Sequence, residues 1–88
     1  MDKDEGYRVL KKNGYTNIVA IKKNSDYSLK KHSHDFNVDL IVLAGSLEVT
    51  MEKSSVVLYP GSRFKLNKNE IHAEKAGLNG VYFLSARP

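Results

Sequence analysis

The chain contains no cysteine, which excludes disulfides and thiolate-bound zinc and removes any thiol clue to its compartment. Its start, Met1-Asp2-Lys3-Asp4-Glu5-Gly6, lacks an apolar stretch behind a basic flank, and no run approaches the ~18 apolar residues of a membrane span. A cytoplasmic protein with no membrane partner is therefore expected. Internal repeats and low-complexity tracts are also missing. At 88 residues the chain is too short for two cores, so one domain is expected over 1–88, with a helical segment at 1–14 and a β-barrel at 15–88. A domain of this size buries only ~60 to 65% of its unfolded surface, and a metal held by the folded state or a dimer interface would add stability.

The formal charge of +4 is unevenly spread. Residues 1–31 carry eight Lys/Arg against four Asp/Glu, whereas residues 32–88 carry six against six. Lys11-Lys12, Lys22-Lys23 and Lys30-Lys31 could form a phosphate-binding patch, but they have no interleaved aromatics and no helix-turn-helix or stacking-platform signature. They read instead as solvated lysines on a helix end and on strand edges, where lysine discourages edge-to-edge pairing. No nucleic-acid partner is expected.

Acidic Asp2, Asp4 and Glu5, then Lys11-Lys12, then Asn13-Gly14 predict a short helix over 2–13, with charges placed as the helix dipole favours. From Tyr15 onward the pattern is β. Strands are predicted at Asn17–Lys22, along Tyr27 to His34, at Val38–Leu43 and at Leu47–Met51, with Ala44-Gly45-Ser46 as a turn. Val56–Tyr59, Phe64–Leu66, Ile71–Lys75 and Val81–Ser85 follow, separated by Pro60-Gly61-Ser62, Asn67-Lys68-Asn69 and a loop at Gly77–Gly80. Seven or eight short strands at this spacing predict an all-β sandwich or barrel.

Only three histidines are present, His32, His34 and His72. Residues i and i+2 of a strand share a face, so the His32-Ser33-His34 pair can aim both imidazoles at one point. Neutral imidazole is the commonest protein ligand for first-row metals, which makes the trio a candidate metal site. Glu74, two residues after His72, shares its face and could orient an imidazole or handle a proton as a catalytic group. Alternatively it is an exposed glutamate paired with Lys75 or Lys68.

The segments His32-Ser33-His34 … Val42-Leu43-Ala44-Gly45 and Pro60-Gly61 … Asn67-Lys68-Asn69 … His72 … Ala76 resemble the two motifs of the cupins, over residues 32–76. The resemblance extends to very small, mostly uncharacterised bacterial cupins through His72-Ala73-Glu74, Gly80-Val81-Tyr82-Phe83-Leu84 and Arg87. It implies a double-stranded β-helix, the cupin jelly-roll barrel, with a short N-terminal helix. It also implies that His32, His34 and His72 occupy the family's three histidine ligand positions. The family's glutamate position falls on Val38. Asp39, one residue later, is a candidate fourth ligand if a bulge turns it inward. Asn67-Lys68-Asn69 stands where the family has a Pro-x-Gly turn, and asparagine can adopt the left-handed conformation that glycine supplies.

The expected function is a small metal-binding cupin holding a divalent ion (Fe, Mn, Ni or Zn) and acting as a metal-dependent enzyme on a small organic substrate. Tyr59 or Tyr82 is a possible proton shuttle beside Glu74. The alternatives are a non-catalytic small-ligand-binding or sensor cupin and a cupin with a vestigial site. A homodimer is expected, because a barrel this small leaves edge strands to cover.

Overall fold

The computed structural model describes all residues, 1–88. Its elements are α1 (Lys3–Lys12), β1 (Asn17–Lys23), β2 (Ser28–His32), β3 (Val38–Met51), β4 (Ser55–Leu58), β5 (Arg63–Leu66) and β6 (His72–Arg87). The helix begins where the charge pattern places it. Asp2 caps it by accepting the Glu5 backbone N–H at 2.9 Å, satisfying one of the first-turn donors that have no intrahelical partner.

Six strands form instead of seven or eight, because two of the expected breaks are bends. Ala44-Gly45-Ser46 lies inside β3 and Gly77–Gly80 inside β6. These two long strands pair antiparallel from Asp39↔Ala86 to Met51↔His72, slipping register between Val42 and Ala44 and again between Gly45 and Leu47. Gly45 has φ +72° and Gly80 φ +76°. A Cβ on Gly45 would collide with the Gly80 carbonyl oxygen. Glycine at both positions therefore lets the paired ribbon fold over on itself without losing its partner.

The folded ribbon makes two layers. In one, the first part of β6 lies between β2 and the end of β3, which in turn pairs with β4. In the other, the latter part of β6 lies between β1 and the start of β3, which pairs with β5. Val38, Leu40, Val42, Leu47, Val49, Leu58, Leu66, Val81 and Phe83 fill the space between the layers. This is the expected jelly-roll barrel.

The outer face of the second layer is also apolar, and α1 covers it. Leu10 is fully buried against Ile41, Leu43, Leu84 and Ala86. Burying a leucine contributes ~1.5 to 3 kcal/mol, so this contact holds the N-terminal segment to its own sheet.

Strict alternation along the start of β3 decides the place of Asp39. Its pairing with β5 runs unbroken from Val38↔Leu66 to Ile41↔Arg63, with no bulge before Val42. Val38, Leu40 and Val42 therefore face the interior, while Asp39 shares the outer face with Ile41 and Leu43. There Asp39 is fully buried, and both its oxygens accept from Arg63, from Nε at 2.9 Å and Nη2 at 2.6 Å. The bulge that would have made it a metal ligand is missing.

Candidate metal centre

The antiparallel pairing of β2 with β6 sets His32 directly opposite His72, and their ring centroids are 4.2 Å apart. His34 lies just beyond the end of β2, with its ring 5.1 Å from His32 and 5.5 Å from His72. Its backbone is fixed by the turn before β6: the Asn69 N–H donates to the His34 carbonyl at 2.7 Å. Asn69 holds φ 65°, so asparagine does supply the left-handed turn residue in place of glycine. The side chain of Asn37 accepts the neighbouring Lys68 N–H at 2.7 Å, tying the same two loops together.

The three histidines place their ligand atoms within 4.8 Å of one another. The Nδ1 of His32 lies 2.7 Å from the Lys30 carbonyl, and that of His72 lies 3.0 Å from the Glu70 carbonyl. A carbonyl only accepts, so each Nδ1 carries the proton. In the neutral ring each Nε2 is then a free lone pair. Both Nε2 atoms are buried and make no hydrogen bond. Fixing Nδ1–H on a carbonyl is also how metal-binding histidines are commonly oriented.

Glu74 follows His72 by two residues on the same face of β6, and its Oε2 lies 3.5 Å from the Nε2 of both His32 and His72. Its carboxylate is nearly buried. Two Nε2 atoms and a carboxylate oxygen thus face one another without a hydrogen bond between them, and a cation held among them would satisfy all three. Ligand bonds of about 2.1 Å put neighbouring ligand atoms roughly 3.0 to 3.4 Å apart around one ion, close to the spacing found on either side of Glu74. The donor set fits a divalent first-row metal. Glu74 is therefore not the solvent-exposed partner of Lys75 or Lys68.

Burial, reinforced by the neighbouring His32 and His72 and by Arg87, lowers the pKa of His34 and so favours its neutral, ligating form. Tyr27 is the tyrosine beside the carboxylate: burial and then the Glu74 charge push its phenol up to about 12. Tyr59 and Tyr82 lie elsewhere. Tyr59 is exposed on the surface, and Tyr82 packs against the outer core with Tyr7 and Tyr15. Tyr27 gives little sequence signal because its nearness to Glu74 depends on the pairing of β2 with β6, and its carbonyl accepts the Ala76 N–H at 3.1 Å.

No family sequence model and no curated protein matches the chain. Solved structures do. KdgF from a Halomonas species superposes with TM-score 0.73 at 22% identity, over 81% of this chain and 66% of that one. A cupin-2 domain protein from Shewanella frigidimarina gives TM-score 0.64 at 18% identity, over 81% and 67%. The chain folds as a cupin. The FeII form of HppE is similar too, with TM-score 0.71 at 18% identity, over 81% of this chain and 41% of that one. The chain spans slightly under two thirds of the length of KdgF and much less of HppE. No helix in it is long and apolar enough to cross a membrane.

Proposed function

We propose that His32, His34 and His72, with the carboxylate of Glu74, hold one divalent metal ion, and that the protein is a metal-dependent enzyme acting on a small organic substrate. The observation that carries this reading is the pair of buried, unpartnered Nε2 lone pairs facing the Glu74 oxygen. A polar atom buried without a partner costs ~1 to 3 kcal/mol, and here two such atoms converge on one point. A bound ion of this kind supplies Lewis acidity toward an oxygen ligand or lowers the pKa of a bound water.

The chain's own residues set the rest. The carbonyls of Lys30 and Glu70 hold two of the imidazoles by their Nδ1–H groups, so their lone pairs are aimed before any ligand arrives. Tyr27 stands near Glu74, and the carboxylate's charge, after burial, holds its phenol protonated. Only Oε2 of Glu74 faces the two histidines, so its other oxygen is the base we assign any proton transfer at the site. HppE, of similar fold, has been solved in its FeII form, which lends support to a metal in this chain.

The test is elemental analysis of untagged protein purified without a nickel column, followed by calorimetric titration of the chelator-treated protein with Fe(II), Mn(II), Ni(II) and Zn(II). One equivalent per chain is expected, and His72→Ala is expected to abolish it. Failure of all four ions to bind the wild-type protein would overturn the reading.

A further inference from the structure

Past its bend, β6 sends Val81 and Phe83 into the interior core and Leu84 and Ala86 to the outer face beneath α1. The same alternation puts Ser85 and Arg87 on the interior side, at the end of the barrel where the histidines lie. The guanidinium carbon of Arg87 is 5.3 Å from the centroid of the Phe36 ring. Phe36 in turn stacks on His34, with centroids 5.1 Å apart and planes inclined by 24°. Arg87 thus stands at the rim of the histidine centre.

Its hydrogen bonding is incomplete. The only bond its side chain makes is a long one, from Nη2 to Ser85 Oγ at 3.5 Å. Its Nε is buried and has no partner. No carboxylate lies within ion-pair distance, whereas Arg63, the other arginine of the barrel, has both oxygens of Asp39. A guanidinium whose Nε–H has no partner, lying over an aromatic ring beside the histidine cluster, carries the planar fork that matches a carboxylate. The broad surface groove of about 470 Å³, lined by Ser25, Glu48, Val57 and Lys75 among others, touches neither Arg87 nor the histidines.

We propose that Arg87 is the anion-recognition residue of this site, binding the carboxylate of a small organic acid whose other oxygen donor reaches the histidine centre. The second contact rests on the metal reading above; the first rests on Arg87 alone.

The probe is malonate, with uncharged malonamide as control, titrated into chelator-treated and Zn(II)-loaded protein. Calorimetry and the ¹⁵N resonance of Arg87 Nε–H are the readouts. Malonate is expected to shift the Nε–H resonance in both forms and to bind the zinc form more tightly, while malonamide does neither. Arg87→Gln is expected to weaken malonate binding about ten- to a hundredfold while one zinc per chain still binds, with Arg87→Lys regaining part of the loss. Zinc binding with no response of Arg87 to malonate, or equal malonate affinity in wild type and Arg87→Gln, would overturn the proposal and leave the metal reading standing. A malonate-dependent shift in a protein that takes up none of the four ions would support Arg87 and overturn the metal reading. Should Arg87→Gln fail to fold, the wild-type resonance decides the matter.

Discussion

Asp39→Asn is expected to cost stability and to leave metal binding untouched. The wild-type carboxylate is fully buried and accepts two charge-assisted hydrogen bonds from Arg63. Asparagine keeps the shape, but it removes the charge and turns an NH₂ group toward the guanidinium. Breaking a buried ion pair by removing one partner costs ~3 to 5 kcal/mol when the remaining charge is trapped. Arg63 is not trapped, because 31% of its side chain is exposed and can turn to water. The expected loss is therefore nearer ~2 to 3 kcal/mol, which in a domain of this size lowers Tm by on the order of 10 to 20 °C. Arg63→Gln should be worse than Asp39→Asn, since it strands the fully buried partner rather than the half-exposed one. Urea melts should show a lower midpoint at unchanged slope, and zinc calorimetry below the transition should give the wild-type affinity. Loss of zinc binding by folded Asp39→Asn would refute this reasoning and make Asp39 a ligand. Equal stability of Arg63→Gln and wild type would show that the pair contributes nothing.

Glu74→Gln should preserve the fold while lowering metal affinity or turnover about ten- to a hundredfold; calorimetry beside melting curves checks it, and an unchanged affinity and rate would count against Glu74. The His34 pKa is lowered in the folded protein, so the unfolded chain binds the proton first as pH falls below ~6.5, and stability declines from there downward. Protons also compete with metal for all three imidazoles. Melting curves with and without chelator should therefore show the metal's extra stabilisation at pH 7.5 disappearing by ~5.5, and identical profiles for the two forms would favour a vestigial site. A dimer is predicted through the free edge of β1, whose other side pairs with β6. Removing residues 1–21 should give monomer or aggregate in sedimentation, and full-length protein that is monomeric at every concentration would remove this prediction.

The histidine trio was legible because a His-x-His pair carries its geometry in its spacing, and because Asn67-Lys68-Asn69 signals a turn that delivers His72 to the same end of the barrel. The carboxylate was ambiguous for a physical reason. Asp39 and Glu74 both fall within reach of a histidine-bearing segment, and the choice between them depends on whether β3 is bulged, which is settled by its pairing with β5 across the sheet. Gly45 and Gly80 read as turns, since an isolated glycine shows only that the backbone bends and not whether a partner strand bends with it. Tyr27 and Arg87 gain their places from β2–β6 and β1–β6 pairing, which no local pattern encodes.

The central position of β6 bears on how the molecule comes into being. It pairs with β1, β2 and β3, yet it follows all of them along the chain. During synthesis the earlier strands leave the ribosome with their edges open, and His32 and His34 wait some forty residues for His72. Pairings this distant in sequence fold on the millisecond-to-second scale rather than in microseconds. The histidine cluster is therefore complete only once β6 has docked, and an ion held by all three imidazoles would report that step of folding.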